Sequence, residues 1–322
     1  MEKESLRIVY MGTPEFAVAP LESLLDNGYN VVGVVTVPDK PAGRGQRLGE
    51  SAVKLFAKER GLNLLQPPLL RDPDFLASLE ALKADLFIVV AFRMLPKVVW
   101  SMPRLGTFNL HGSLLPQYRG AAPINWAIIN GESRSGVTTF MIDEEIDTGG
   151  ILLQRETPIA PDETVGTLYD RLMHMGAKLV LETVEGLMEG TLKPHPQKAE
   201  NPKPAPKLTK ELSHINWESN ALELERLIRG LSPYPGTFTT LVKGNQTVNV
   251  KIFGAKALEA SGEGSASKAL PGSIISNGKS SLKVVCGEGE LEILEIQMAG
   301  KRRMKISEFL LGFRNPEEYI FK

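Results

Sequence analysis

The chain has 322 residues, of which 42% are hydrophobic and 23% are charged, and its formal net charge is −1. This length suggests two domains, each long enough to bury a core, and the balanced charge excludes a protein that is basic throughout and coats nucleic acid. A single cysteine excludes an intramolecular disulfide and a cysteine-based metal cluster. Since no signal peptide or membrane-spanning run is recognisable, we expect a cytoplasmic protein without a membrane segment.

Strands and helices are predicted to alternate through the first 192 residues. Short apolar, β-branched runs predict buried strands at 6–11, 30–37, 63–66, 85–92, 106–112, 135–143 and 151–159, the last at a sheet edge. Helices are predicted between them, one capped by Thr13, another by Asp72 or Asp74, and a long amphipathic one at 164–190. This alternation predicts an α/β domain with a mostly parallel sheet covered on both faces.

The composition changes after residue 192. Residues 193–210 are rich in proline and lack periodicity, which predicts a semi-rigid linker. Residues 211–322 begin with one predicted helix at 215–231, and short strand-like runs follow at 236–243, 246–258, 271–277, 281–286 and 290–300, with a loop tip at 262–267. Several strands at this spacing predict a small β-barrel or sandwich.

Two glycine-containing segments raise the question of phosphate binding. The first strand–turn, MGTPEFA, has one glycine where a dinucleotide fingerprint needs three, so a dehydrogenase is a weak alternative. Residues 38–51 are longer than an α/β connection requires and carry Lys40, Arg44 and Arg47. They form either a solvated insertion or a mobile basic loop for a phosphate-bearing partner, and charge and length alone do not decide between the two.

The strand at 106–112 ends in a polar pair. Because side chains alternate along a strand, Asn109 and His111 share the face opposite Phe108 and Leu110, and ligands of open α/β sheets bind at the strand ends. The next strand ends in four acids, any of which could orient the imidazole: Asp143, Glu144, Glu145 and Asp147.

The residue types at these strand ends limit the chemistry. A metal site is a poor reading because only one histidine lies near, and Ser113 lacks the Gly-x-Ser-x-Gly elbow of a hydrolase. Asparagine, histidine and a carboxylate without a nucleophile suit direct acyl transfer, in which the amide and imidazole stabilise a developing oxyanion.

At these residues the chain resembles a known family. NLHGSLLPQYRGAAPINWAI followed by GVTTFMIDEEIDTGG resembles the formyltransferases that use 10-formyltetrahydrofolate. The resemblance extends over nearly the whole chain through MGTPEFAV, PDKPAGRGQ, KLTKE and IRGLSPYPGTFT. It implies a Rossmann-like formyltransferase domain at 1–192, the linker at 193–210 and an OB-like, tRNA-binding barrel at 211–322.

The resemblance also assigns residues to roles. The family's catalytic trio falls on Asn109, His111 and Asp147. The positions implied for folate binding are Arg93, Met94, Leu95, Ser113, Leu114, Leu115, Pro116, Ile142, Asp143 and Glu144. Many relatives have Tyr-Gly where this chain has Phe92-Arg93, so the resemblance does not define the pteridine contacts there.

The activity implied is transfer of the formyl group of 10-formyltetrahydrofolate to the α-amine of methionine on initiator tRNA, for translation initiation, by a monomer that needs no metal. The implied tRNA contacts are Lys40, Arg44 and Arg47 in the long loop and Lys301, Arg302 and Arg303 in the barrel. From the residues alone, the second cluster is either a solvated turn or a phosphate contact.

Three rivals remain open at the level of the sequence. The first is a formyltransferase that acts on a small amine such as a nucleotide sugar, and the second is a hydrolase of the same folate. The third, from another class, is a non-catalytic RNA-binding protein, which would tolerate loss of His111.

Overall fold

The computed structural model describes residues 2–42, 47–198, 201–258 and 269–322, and only the backbone at 41–42 and 47–48. The chain divides into two compact units, of which the first comprises residues 1–123, 134–158 and 169–205 and the second residues 124–133, 159–168 and 206–322. The main division thus follows residue 205, inside the segment predicted as a linker. No helix among the described residues has both the length and the apolar character that a membrane crossing requires.

The first 205 residues contain eleven described strands: β1 (Arg7–Gly12), β2 (Asn30–Val35), β3 (Lys40–Ala42), β4 (Arg47–Gly49), β5 (Leu64–Leu65), β6 (Leu86–Val90), β7 (Thr107–His111), β8 (Arg119–Gly120), β9 (Arg134–Met141), β10 (Ile151–Pro158) and β11 (Pro204–Ala205). Their helices are α1 (Val18–Asp26), α2 (Ala52–Glu59), α3 (Pro73–Ala81), α4 (Lys97–Trp100), α5 (Pro123–Ile129) and α6 (Val165–Glu189), with 3-10 turns at Lys3–Ser5 and Glu15–Ala17.

The sheet of the first unit confirms the predicted α/β class. Its strand order is β10-β9-β7-β6-β1-β2-β5. The strands from β7 to β5 are parallel, whereas β9 runs antiparallel to both of its neighbours, β7 and the edge strand β10. Every residue of β6 is buried, because both faces of a central parallel strand are covered. The carboxyl ends of β1, β6 and β7 therefore lie at one edge of the sheet, where a ligand is expected.

Two helix caps were predicted, and one was wrong. The Asp72 carboxylate accepts hydrogen bonds from the backbone N–H groups of Asp74 and Phe75, at 3.0 and 3.1 Å, and so caps α3 as predicted. Thr13 caps no helix, since a 3-10 turn precedes α1 and the Thr13 hydroxyl is buried without a described hydrogen-bond partner. The long helix predicted at 164–190 is confirmed as α6.

The second unit is built on an antiparallel sheet. Its strands are β12 (Thr237–Lys243), β13 (Gln246–Leu258), β14 (Ile274–Ser276), β15 (Leu282–Val285), β16 (Glu290–Met298), β17 (Met304–Lys305) and β18 (Ile320–Phe321), and its further helices are α7 (Ala221–Leu231) and α8 (Ile306–Gly312), with a 3-10 turn at Pro316–Glu318. The helix predicted at 215–231 starts later because the Asn220 side chain caps α7, accepting from Leu222 N at 2.8 Å.

This sheet nearly closes on itself, as the barrel prediction requires. The strand order is β14-β15-β16-β13-β12-β18, with β17 on β16, and a bridge between Ser273 and Ile320 brings the two ends together. Trp217, Ile228 and Phe321 fill the interior with residues of the central strands. The loop tip predicted at 262–267 lies outside the described residues.

Candidate active site

His111 and Asn109 occupy the carboxyl end of β7. Asn109 lies beside Val89 of β6 and opposite Phe140 of β9, and His111 lies opposite Thr138. Phe108 and Leu110 are buried in the core, as the alternation predicted, and the His111 side chain is also almost fully buried.

The contacts of His111 define its tautomer. Its Nε2 atom lies 2.8 Å from the Tyr118 carbonyl oxygen. Because a carbonyl only accepts hydrogen bonds, Nε2 carries a proton and donates it there. Its Nδ1 atom lies 3.9 Å from Asp147 Oδ2, which is too far for a hydrogen bond and close enough for a strong charge interaction when the ring is protonated. Nδ1 is therefore the ring nitrogen that is left to exchange a proton.

Asp147 is held in an unusual backbone conformation. Its φ angle is +56°, in the left-handed region that non-glycine residues seldom adopt. Its Oδ2 atom accepts a hydrogen bond from the backbone N–H of Gly120 at 2.9 Å, which fixes the carboxylate on the side of His111.

The other acids of this loop make different contacts. Asp143 accepts from Glu145 N and from the Thr148 hydroxyl, at 3.1 and 2.8 Å, and Glu144 forms an exposed ion pair with Lys97 at 2.5 Å. The Lys97 ammonium holds the pKa of the Glu144 carboxyl below its usual value. Of the four acids left open by the sequence, the structure brings Asp147 to His111.

Asn109 contains an unsatisfied polar atom. Its Oδ1 is buried and has no hydrogen-bond partner among the described residues. Leaving such an atom unpaired costs about 1–3 kcal/mol, so a group that pairs with the Asn109 amide gains binding energy there. Since the amide lies two residues before His111 on the same strand face, both side chains can act on one bound group.

Among the residues implied for folate binding, Arg93 is already engaged. Its guanidinium donates to the carbonyl oxygens of Pro67 and Pro68, at 2.8 and 3.0 Å, and stacks over the Phe92 ring at 5.2 Å. Burial lowers its pKa. Its neighbour Met94 is exposed and Leu95 is buried.

The segment from Ser113 to Pro116 is held by hydrogen bonds. The Ser113 hydroxyl donates to the Gln117 carbonyl at 2.6 Å, so it is not presented as a nucleophile. The Thr138 hydroxyl donates to the Ser113 carbonyl at 2.7 Å, and Gln154 donates to the Leu115 carbonyl at 2.7 Å. Leu114, Pro116 and Ile142 are partly buried, whereas Asp143 and Glu144 are exposed.

The residues implied for tRNA binding divide into two groups. In the loop, Lys40 is exposed, Arg44 lies outside the described residues, and only the backbone of Arg47 is described. In the barrel, Lys301 is exposed, whereas the other two cations have internal partners. Arg302 pairs with Glu308 at 2.7 Å, and Arg303 pairs with Glu295 and stacks over Phe253 at 4.6 Å.

A cavity of about 820 Å³, which no sequence pattern predicted, opens on the barrel. Its lining combines two ammonium groups, from Lys210 and Lys251, with the Phe238 ring and the Asn249 and Gln297 amides. Cations, amides and an aromatic ring are the groups with which proteins contact single nucleotides.

Sequence reasoning also missed two residues near His111. The only hint of Tyr118 is its place in SLLPQYRG, although its carbonyl binds the imidazole. Gln197 has no local signal, since it lies in the proline-rich segment. Its side chain donates to the Asp147 and Gly149 carbonyls at 2.9 and 2.8 Å, and it accepts two hydrogen bonds from Arg119.

Comparison with known proteins gives consistent findings. Residues 6–184 match the formyl transferase family, and residues 207–314 match the formyl transferase C-terminal domain. The chain is 50% identical over 327 residues to a methionyl-tRNA formyltransferase of Bacteroides fragilis, with 100% of this chain and 99% of the relative covered. It is 52% identical to the methionyl-tRNA formyltransferase of Parabacteroides distasonis, with 99% of each chain covered.

A solved structure also shares the fold. The N-formyltransferase from Helicobacter canadensis, in complex with folinic acid and dTDP-3-aminofucose, superposes with a TM-score of 0.65 over 93% of this chain and 100% of its own. The sequence identity is 21%, so this similarity concerns the fold alone.

Proposed function

The chain belongs to the formyl transferase family, and we propose that it transfers the formyl group of 10-formyltetrahydrofolate to the α-amine of methionyl initiator tRNA. The observation that carries this proposal is the 50% identity to methionyl-tRNA formyltransferases over the full length of both chains. The products are formylmethionyl-tRNA for translation initiation and tetrahydrofolate. In this proposal the enzyme acts as a cytoplasmic monomer.

The proposed roles of Asn109 and His111 follow from their contacts. The folate supplies the formyl carbon, and negative charge develops on the formyl oxygen when the amine attacks. The side-chain N–H of Asn109 and the imidazolium of His111 stabilise that charge, whereas the unpaired Asn109 Oδ1 is an acceptor for an N–H of the substrates. His111 Nδ1 takes up the proton that the attacking amine loses and returns it to the folate nitrogen, whose bond to the formyl carbon breaks, while Nε2 stays bound to the Tyr118 carbonyl.

Asp147 acts through His111 in this proposal. Its carboxylate lies 3.9 Å from Nδ1 and favours the imidazolium during the reaction. Because the 3.9 Å between Oδ2 and Nδ1 exceeds hydrogen-bond distance, the carboxylate stabilises the charge without itself accepting the Nδ1 proton.

The proposed folate site takes in the segments around these residues, namely Arg93 to Leu95, Ser113 to Pro116 and Ile142 to Glu144. The exposed Met94 supplies apolar surface beside the strand ends, and the unpaired Asn109 Oδ1 supplies a hydrogen-bond acceptor. Arg93 acts by shaping this wall through its contacts to Pro67 and Pro68.

Two surfaces are proposed to bind tRNA. The first is the loop that carries Lys40, Arg44 and Arg47. The second is on the barrel, where Lys301, Arg302 and Arg303 form one part and the cavity with Lys210 and Lys251 forms another. Because Arg302 and Arg303 are already paired with carboxylates, Lys301 and the cavity lysines contribute most of the attraction to phosphate.

The test is formyl transfer to methionyl initiator tRNA, measured for the wild type, His111→Ala and His174→Ala. His174 is an exposed histidine of α6 and serves as the matched control. We expect His111→Ala to reduce turnover by about 10²–10³-fold and His174→Ala to match the wild type. If the wild type formylates an amino sugar nucleotide and leaves the tRNA unmodified, the small-amine alternative is correct.

A further inference from the structure

Gln197 forms hydrogen bonds with every polar position of its side-chain amide. Its Nε2 donates to the carbonyl oxygens of Asp147 and Gly149, at 2.9 and 2.8 Å. Its Oε1 accepts from Arg119 Nε and Nη2, at 3.1 and 2.7 Å. An amide offers two donors and two acceptor positions, so this partly buried side chain is fully used inside the protein.

The two segments that Gln197 joins are those that set the geometry of His111. Arg119 lies between Tyr118, whose carbonyl binds His111 Nε2, and Gly120, whose N–H binds the Asp147 carboxylate. The other segment is the loop that carries Asp147 itself. One side chain therefore fixes both the partner of Nε2 and the carboxylate that faces Nδ1.

The loop needs such support because its backbone is under constraint. Asp147 has a φ of +56°, and non-glycine residues keep this conformation only where surrounding contacts enforce it. The loop also packs tightly, since a Cβ atom on Gly149 would lie 1.6 Å from the Met141 carbonyl oxygen. The two hydrogen bonds from Gln197 hold the carbonyls of Asp147 and Gly149, the first and last residues of this constrained stretch.

We propose that Gln197 is a positioning residue for formyl transfer. It keeps Asp147 facing His111 by holding the loop at residues 143–149, here called the acid loop, to the Tyr118–Gly120 segment. This inference rests on the proposed function for its activity assay. It predicts that Gln197 affects turnover through Asp147 and has little effect on KM.

Three single variants separate its contacts. Gln197→Leu removes all four hydrogen bonds. Gln197→Glu keeps the acceptors for Arg119 but places an oxygen against the Asp147 and Gly149 carbonyls. The control is Gln66→Leu, because Gln66 is another partly buried glutamine whose Nε2 donates two hydrogen bonds, to the Val37 carbonyl and to Asp39.

We expect both Gln197 variants to lower kcat by about tenfold to a hundredfold, the range for losing a residue that orients an active-site group, with KM changed less than threefold. Gln66→Leu should keep the wild-type kcat. A wild-type kcat in Gln197→Glu would overturn the proposal, because turnover would then not depend on the hydrogen bonds from Gln197 to the Asp147 and Gly149 carbonyls.

A double-mutant cycle distinguishes positioning from general damage. If Gln197 acts through Asp147, adding Gln197→Leu to Asp147→Asn should lower kcat by less than about twofold further, because the residue it positions has already lost its charge. If the factors by which the two single variants lower kcat instead multiply in the double variant, Gln197 acts independently of Asp147 and the proposal fails.

Amide hydrogen exchange tests the same contact without activity. The Gly120 N–H should lose protection in Gln197→Leu and keep it in Gln66→Leu. Unchanged Gly120 protection overturns the positioning role, whatever the activity. Conversely, if the wild type formylates no methionyl-tRNA while Gly120 responds as expected, the proposed substrate is wrong and the positioning of Asp147 stands.

Discussion

Replacing Asp147 by asparagine tests how strongly its charge acts on His111. Asp147→Asn keeps the size of the side chain and an oxygen that can accept from Gly120 N, and it removes the negative charge 3.9 Å from Nδ1. Any loss of turnover then reports on the field of the carboxylate more than on the shape of the site.

The size of the effect follows from the distance and the environment. Two unit charges 3.9 Å apart interact by ~4 kcal/mol at an effective dielectric constant of ~20, and by ~1 kcal/mol in bulk water. These values correspond to factors of roughly 1,000 and 6 in rate. Because the two side chains are only 7% and 13% exposed, we expect a result in the upper part of this range, a decrease in kcat of about 10²–10³-fold.

The assay is steady-state transfer of radiolabelled formyl to methionyl initiator tRNA, with both substrates saturating so that the rate reports kcat. Glu145→Gln is the control, because it removes an exposed acid from the same loop. We expect it to retain wild-type turnover. If Asp147→Asn stays within about fivefold of the wild type, no imidazolium develops at Nδ1 in the slow step, and the reasoning about His111 is refuted.

Three further predictions concern the stability of the protein. Gly149→Ala places a methyl group against a backbone carbonyl, so we expect Tm to fall by at least about 3 °C, whereas Gly312→Ala has open space and should leave Tm unchanged in the same calorimetric scan. The Lys54 ammonium holds the pKa of the Asp39 carboxyl below its usual value, a stabilisation present above about pH 4 and lost as the pH falls further. Lys54→Met should therefore lower the urea midpoint at pH 7, and its difference from the wild type should shrink near pH 3. Burial raises the pKa of the Cys286 thiol to about 12, so a thiol reagent at pH 8 should modify it only after unfolding; rapid labelling of the native protein would contradict this.

The parts of the fold that follow from local patterns were predictable from the sequence. Alternation along β7 placed Asn109 and His111 together, and the Asp72 cap requires only a carboxylate before a helix. Thr13 looked like a cap by the same reasoning and is not one, because the chain enters α1 through a 3-10 turn that local propensity did not reveal. Local rules succeed where a few neighbouring residues decide the structure.

The contacts that complete the candidate site join distant parts of the chain. Spacing could not select Asp147 among four acids, because the choice depends on the turn that brings Gly120 N to its carboxylate. Gln197 lies about fifty residues beyond Asp147, in a segment whose composition predicts only a linker. Such long-range pairs follow from strand order, which one sequence does not specify.

The near closure of the barrel has a consequence for its synthesis on the ribosome. β12 ends at Lys243, and its partner β18 begins only at Ile320. At ~5–20 residues per second, the intervening stretch of chain takes roughly 4–15 s to translate. During this time the outer edge of β12 has emerged or is emerging without the strand that will cover it, and an uncovered edge is a template for pairing with other chains. The nascent protein is therefore most prone to aggregation at this edge in the seconds between the translation of β12 and that of β18, when most of the barrel has been made.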